Sequence, residues 1–328
     1  MTQQKQEIEA DVLKANVLIE RLKKEIAKAI IGQEKMVERL IMAIICQGHV
    51  LLEGVPGIAK TLAVNTLAKA LSLDFKRIQF TPDLLPSDLI GTSVYHPKDG
   101  TFSVEKGPVF TNVVLADEIN RAPPKVQSAL LEVMQERQVT IGGETFKTKE
   151  PYFVLGTQNP IEQEGTYPLP EAETDRFMMK IVLNYPTATE EKEIVMRYGT
   201  LAPVQIVPQM GTEEVLMLQS LVKKVYIDDK ILNYIISIVV ATRNPKESEV
   251  DIVGLLEYGA SPRASLWLAS CSRAHALLQG RTYVTPFDVK EVAFDILRHR
   301  LVLSYEAQAQ QITPEDIIQR IFNKIPVP

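Results

Sequence analysis

Cysteine, surplus basic charge and long apolar runs are all scarce in this chain, and each scarcity removes a class of protein. Cys46 and Cys271 are the only cysteines, far apart and each inside an apolar helical pattern. Two such residues build no disulfide framework, so both read as buried reduced thiols. Lysine and arginine number 36 against 41 aspartates and glutamates, a formal charge of −5. That balance argues against a surface given over to nucleic-acid backbone, although it leaves room for a local basic groove. The most apolar stretch, ILNYIISIVVA at 231–241, is too short to span a bilayer. The opening MTQQKQEIEADVLKANVLIERLKKEI has acids throughout and lacks the charged start, apolar centre and cleavage site of a signal peptide. The expectation is a cytoplasmic protein with no membrane span. There is no long repeat and no low-complexity segment.

What is present is enough for two units: 328 residues, 45% of them hydrophobic. HVLLEG (49–54), FKRIQF (75–80), NVVLADE (112–118), YFVLGTQN (152–159) and MKIVLNY (179–185) read as strands. Most are nearly continuous apolar runs, as parallel strands covered on both faces require. Helical patterns such as TLAVNTLAKAL and PKVQSALLEVMQER lie between them, so residues 1–185 read as an α/β parallel-sheet core. Two polar stretches, near 91–109 and 138–147, carry Asp99-Gly100 and Gly142-Gly143 between short alternating runs and read as inserted β-hairpins. A linker over 186–205 leads to an all-helical unit over 206–328. There, Ser261-Pro262, Thr285-Pro286 and Thr313-Pro314 each pair a capping hydroxyl with a proline suited to the first helical position. Asp288 and Asp316 follow the two threonines at near capping-box spacing.

The first strand runs into GVPGIAKT, residues 54–61. The phosphate-loop template asks for Gly, four residues, then Gly-Lys-Ser/Thr. Gly54, Lys60 and Thr61 fit, and Ala59 stands where the template has glycine. A strand that turns sharply into a helix aims N–H groups at one spot, and the helix terminus adds about half a positive charge there. Pro56 and Gly57 supply the turn within Val55, Pro56, Gly57 and Ile58. Ala59 falls where the helix begins and φ is negative, so its methyl group weakens the motif more than the cradle. Lys60 is placed for the β/γ-phosphates of a nucleotide and Thr61 for Mg²⁺. The alternative is a plain strand-to-helix turn with a surface lysine.

Asp117 ends a buried strand, where an oxygen ligand for Mg²⁺ belongs, and Glu118 beside it could polarise an attacking water. Without a nucleotide the pair would only cap the next helix. A third strand ends in Thr157-Gln158-Asn159-Pro160. If the strands are parallel, all three ends meet on the sheet edge where such folds bind ligands, and Asn159 could orient the water. Arg263, in GASPRAS, falls in the first turn of a helix, where the dipole disfavours a cation unless an anion is near. A γ-phosphate would be that anion. Arg176, in ETDRF, lies outside the inferred pocket and could reach a neighbouring subunit as an arginine finger. Arg121, in EINRAPP, is a weaker candidate for the same contact, and either arginine could serve only a salt bridge.

The ordered set GVPGIAKT, VVLADEINRAPPKVQSALLEVMQE, TQNPIEQEGTYPLPEAETDRF and GASPRAS resembles the MoxR group of AAA+ ATPases, from about IIGQEK at 31 through the C-terminal helices. The resemblance implies a Walker A loop from Gly54 to Thr61, with Leu62 following, and a Walker B pair in Asp117 and Glu118. It further implies Asn159 as sensor 1, Arg176 as the arginine finger, Arg263 as sensor 2, and Ile31 and Gly32 near the adenine. The hairpin near 91–109 resembles the helix-2 insert of this clade. The resemblance also implies a hexameric ring with ATP and Mg²⁺ between subunits, acting as a chaperone-like ATPase on partner proteins. Those partners commonly carry a von Willebrand factor A domain, and some are enzymes that receive a metal. No such domain is visible here, so the partner would be another chain. Two other readings stay open: a DNA helicase or loader on the same scaffold, and a nucleotide-gated scaffold with little turnover. The hairpin lysines Lys98, Lys106, Lys147 and Lys149 are offset by Asp99, Glu105, Glu144 and Glu150, which does not favour a nucleic-acid track.

Overall fold

The computed structural model describes residues 2–54, 60–159, 165–199 and 204–328. Two compact units emerge, Met1–Glu20 with Phe177–Lys180 and Met217–Pro328 in one, and Arg21–Arg176 with Ile181–Leu216 in the other.

The strands are β1 (Val50–Gly54), β2 (Phe75–Gln79), β3 (Gly91–His96), β4 (Thr101–Lys106), β5 (Val113–Asp117), β6 (Gln138–Ile141), β7 (Glu144–Lys147), β8 (Phe153–Gln158), β9 (Met179–Leu183), β10 (Leu256–Tyr258) and β11 (Val302–Leu303). Five of them form one sheet in the order β2-β5-β8-β1-β9. The pairs β2–β5, β5–β8 and β8–β1 are all parallel. The apolar runs of β1, β5 and β8 are buried almost throughout, whereas β2 at the sheet's edge exposes Lys76 and Arg77. Its adjacent charged residues, Lys76 and Arg77, suit a strand at the sheet's edge. The chain leaves β1 toward β2 on one side and ends with β9 on the other. The C-terminal end of β1 is therefore a switch point, where open α/β sheets bind their ligands.

Both inserted hairpins form, β3 with β4 and β6 with β7. Gly142 and Gly143 take φ of 59° and 90° in the second turn, the region a tight two-residue hairpin demands. The hairpins touch: a Cβ on Gly142 would come within 3.3 Å of the Ser93 side chain. The ammonium of Lys106 stands over the rings of Phe110 (5.1 Å) and Phe146 (4.5 Å). At the first hairpin, Tyr95 and Phe102 lean together at 5.1 Å with both rings exposed.

Three proline-led helices begin at Pro262, Pro286 and Pro314. Ser261 accepts the N–H of Arg263 at 3.2 Å, and Thr313 and Asp316 form a reciprocal box. Asp288 does more than cap. Fully buried, it accepts from the N–H and hydroxyl of Thr285 (both 2.7 Å), from Arg281 (2.8 and 2.5 Å), and lies 2.5 Å from His275 Nδ1. Burial would raise its carboxyl, but the bonds from Arg281, His275 and Thr285 together hold it well below the usual carboxylate range. Over 206–328 the unit is helical apart from the short β10–β11 pair and an isolated bridge between Tyr226 and Tyr283. In the same unit Arg300, 5% exposed, donates to the carbonyls of Phe177 (2.6 Å) and Met178 (3.2 Å). Those bonds explain why Phe177–Lys180 clusters with the helices.

Two features depart from the sequence pattern. Residues 186–205 contain a helix, Ala188–Tyr198, opened by a Thr187/Glu190 capping box. Cys46 is only half-buried, at the end of the helix Glu34–Ile45, while Cys271 is buried, and neither forms a disulfide. Among the described residues no helix is long and apolar enough to cross a membrane; the stretch at 231–241 lies in the helix Asp229–Arg243.

One buried imidazole makes the sheet's stability depend on pH. His49 precedes β1; its Nδ1 accepts the Val154 N–H and its Nε2 donates to the Met134 carbonyl, both at 3.0 Å. Burial, followed by the Arg137 charge, lowers its pKa from 6.5 to about 4. Between those values the unfolded chain holds a proton that the folded chain does not. The contribution is therefore full above about pH 6.5 and shrinks as pH falls, reaching a loss of roughly 2 kcal/mol near pH 5. Urea unfolding of wild type and His49→Gln at about pH 7.5 and 5 should show the variant losing less stability on acidification. Equal losses would exclude His49 as the titrating group.

Candidate functional site

Lys60 opens the helix Lys60–Ala70 that follows β1, and its ammonium donates to the carbonyl of Gly54 at the strand's end. Burial lowers the Lys60 pKa, and the charges of Asp117, then Glu118 and Glu53, oppose the shift. The lysine is thus half-desolvated within electrostatic reach of both acids at the end of β5, a constellation characteristic of sites that bind or process anions. Thr61 and Leu62 follow on the same helix, both partly exposed. Val55, Pro56, Gly57, Ile58 and Ala59 lie outside the described residues.

Strand register brings the other side chains to this edge. Gln79 lies opposite Asp117, and Glu53 opposite Gln158, the residue before Asn159. The Thr157 hydroxyl joins two strand ends: it donates to Asp117 Oδ1 at 2.6 Å and accepts the N–H of Glu118 at 2.8 Å. Arg77 reaches from β2 to Asp117 Oδ2 with Nε (2.9 Å) and Nη2 (2.7 Å). A carboxylate has about four lone-pair positions. These three bonds leave one on Oδ1, through which Asp117 could hold a hard cation or its water.

Glu118 takes φ 57°, ψ 50°, a left-handed conformation uncommon for a residue with a side chain. Its N–H bond to Thr157 holds the backbone in that conformation. Gln79 Nε2 donates to Glu118 Oε2 at 2.9 Å, and Arg121 Nε stands 3.4 Å from the same oxygen. Arg121 therefore meets the acid of its own chain. That pair is only partly buried and adds little stability, but it orients the carboxylate.

The remaining candidates are spread more widely. Arg176 is partly buried, its Nη1 3.4 Å from the Leu131 carbonyl in the helix Pro124–Glu136. Arg263 lies in the other unit, exposed in the first turn of the helix Pro262–Leu278. Ile31 and Gly32 sit in the turn before the helix Glu34–Ile45. Gly32 has φ 70°, a left-handed backbone that favours glycine, and a Cβ there would push the Glu190 carboxyl, 2.2 Å away, aside. Sequence reasoning missed Thr157, Gln79 and Arg77, whose one visible signal is polarity on strands otherwise apolar toward the same end.

The donor set suits a magnesium-bound triphosphate: an ammonium, a hydroxyl and carboxylate oxygens at a strand-to-helix turn. Among the described residues no three His, Cys, Asp or Glu side chains form a metal cage. Magnesium shared with phosphates needs only one or two carboxylates.

The family of ATPases associated with various cellular activities (AAA) matches residues 49–179, and the AAA lid domain matches residues 254–321. The chain is 50% identical over 311 residues to Chaperone MoxR1 of Mycobacterium tuberculosis, spanning 94% of this chain and 82% of that protein. It is 32% identical to Protein MoxR of Methylorubrum extorquens across 94% of each. A crystal structure of a Cytophaga hutchinsonii protein superposes with a TM-score of 0.93 at 49% identity, covering 99% of both chains. With a parallel sheet, a helical lid and relatives matched over 82% and 94% of their own lengths, the chain belongs to the MoxR group of AAA+ ATPases.

Proposed function

We propose that the protein hydrolyses ATP, with Mg²⁺, at the C-terminal edge of its parallel sheet and spends the energy on remodelling a partner protein. The observation that carries this reading is the half-buried Lys60 within reach of Asp117 and Glu118, two acids that Thr157 and strand register hold at the same edge.

In this reading the 54–61 turn and Lys60 bind the β- and γ-phosphates, with Ile31 and Gly32 against the adenine. Thr61 and Asp117 would hold the magnesium, which neutralises charge building up on the transferred phosphoryl group. Asn159 orients a water in line with the γ-phosphorus. Glu118 takes that water's proton as its oxygen bonds to phosphorus and the bond to the bridging oxygen breaks. Arg263 binds the γ-phosphate from the lid, and Arg176 acts on the site of the adjacent subunit. The working form is a hexameric ring in the reducing cytoplasm. Its client carries a von Willebrand factor A domain or is an enzyme awaiting its metal.

Lys60→Ala tests the site directly. Losing one charge-assisted phosphate contact, worth about 1.5–3 kcal/mol, should weaken ATP binding roughly ten- to hundredfold. Fluorescent-nucleotide titration reads the change, and wild-type affinity in the variant would remove Lys60 from the site. Phosphate release by the wild type should rise with a von Willebrand factor A partner and stay flat with single-stranded DNA. A DNA-stimulated rate that salt abolishes would favour the helicase reading instead.

A further inference from the structure

Gln127 is wholly buried in the helix Pro124–Glu136, yet no core requirement calls for an amide there. Its Nε2 lies 3.2 Å from the Ile119 carbonyl, 3.0 Å from that of Ala122 and 2.9 Å from that of Tyr167. The two N–H protons are shared among three acceptors. Its Oε1 is buried with no hydrogen-bond partner. Rotating the amide would set that oxygen against three carbonyl oxygens, so chemistry alone fixes which end is the donor. A methionine or leucine could fill the space without burying an orphan acceptor. The donor is what the position selects.

The bridged backbones follow different strands, β5 and β8. Ile119–Arg121 is the 3-10 turn directly after the left-handed Glu118, and Ala122 beyond it is extended. Tyr167 lies in the segment between Asn159 and Arg176, and its N–H donates to the Asn120 carbonyl at 2.6 Å, a second bond across the same gap. Further along, the Ser128 hydroxyl meets Glu173 at 3.3 Å and Arg176 meets the Leu131 carbonyl at 3.4 Å. One helix therefore braces the turn carrying Glu118 and the chain leading to Arg176, with Gln127 at their junction.

We infer that Gln127 is a positioning residue for hydrolysis: its buried amide locks the Glu118 turn to the segment running toward Arg176. The inference rests on the proposed ATPase reading, and its test separates the two. Gln127→Met keeps volume and removes the donor. Its kcat should fall roughly ten- to hundredfold, the scale on which a slightly misplaced group slows chemistry, with KM for ATP within about twofold of wild type. Leu130→Ala, a buried neighbour on the same helix, controls for lost packing and should lower the melting temperature without that selective fall. Gln127→Glu adds a pH readout. Ionised, it faces the carbonyls with acceptors only; protonated, it regains an O–H donor. Its activity relative to wild type should climb as pH falls.

Amide hydrogen exchange without nucleotide reports the brace by itself. Gln127→Met should speed exchange in both 119–122 and 165–170, even if the wild type proves unable to hydrolyse ATP. Unchanged exchange overturns the inference. So does wild-type kcat in Gln127→Met, or an equal kcat loss in Leu130→Ala.

Discussion

Glu118→Gln will bind ATP about as tightly as the wild type and turn it over roughly 10²–10⁴-fold more slowly, the usual contribution of a general base. The substitution keeps the side chain's length and shape and removes its ability to take a proton. Nothing that would grip the nucleotide changes: Lys60, Thr61 and Asp117 are untouched. The left-handed backbone survives because its hydrogen bond to Thr157 uses the main-chain N–H. An amide oxygen can still accept from Gln79, and the lost pairing with the partly buried Arg121 is worth little. Nucleotide affinity and single-turnover phosphate release, measured on one preparation, separate the two effects. Turnover equal to wild type would remove Glu118 from the proton transfer. Slow turnover by the wild type as well would favour the nucleotide-gated scaffold.

The second large effect belongs to Arg176. Arg176→Ala should lower kcat by about 10³–10⁵, as loss of an arginine finger does, while binding at the chain's own site persists. Among the described residues Arg176 Nη1 donates to the Leu131 carbonyl at 3.4 Å, a long hydrogen bond. The informative form of the experiment mixes two inactive variants. A Lys60→Ala subunit cannot bind ATP well but still presents Arg176 to its neighbour; an Arg176→Ala subunit has the converse defect. Where the second receives the first's arginine, one complete site is restored, so activity should peak at an intermediate ratio. A flat response at every ratio would show that Arg176 acts within its own chain, and would shift attention to Arg121.

Much of this was legible before any coordinates. Parallel buried strands announce themselves as unbroken apolar runs, and the runs in β1, β5 and β8 form the sheet's centre. The hairpin turns carried their own glycines. Thr157, Gln79 and Arg77 could not be found that way. Gln79 has meaning only once register sets it opposite Asp117, and register is decided by the whole sheet. The helix Ala188–Tyr198 is a different kind of omission. Thr187 and Glu190 stand at capping-box spacing, a local signal outweighed by the polar composition around it. Gln127 was invisible for a third reason: a glutamine amid apolar helical residues gives no sign of which carbonyls it will meet.

The two inserted hairpins share a cation. Lys106 leaves the end of β4 to lie between Phe110 and Phe146, and Phe146 belongs to β7 of the other hairpin. Segments some thirty residues apart in the chain thus meet at one ammonium. Transplanting either hairpin alone would part the Lys106 charge from the Phe146 ring, leaving one without the other's quadrupole or cation.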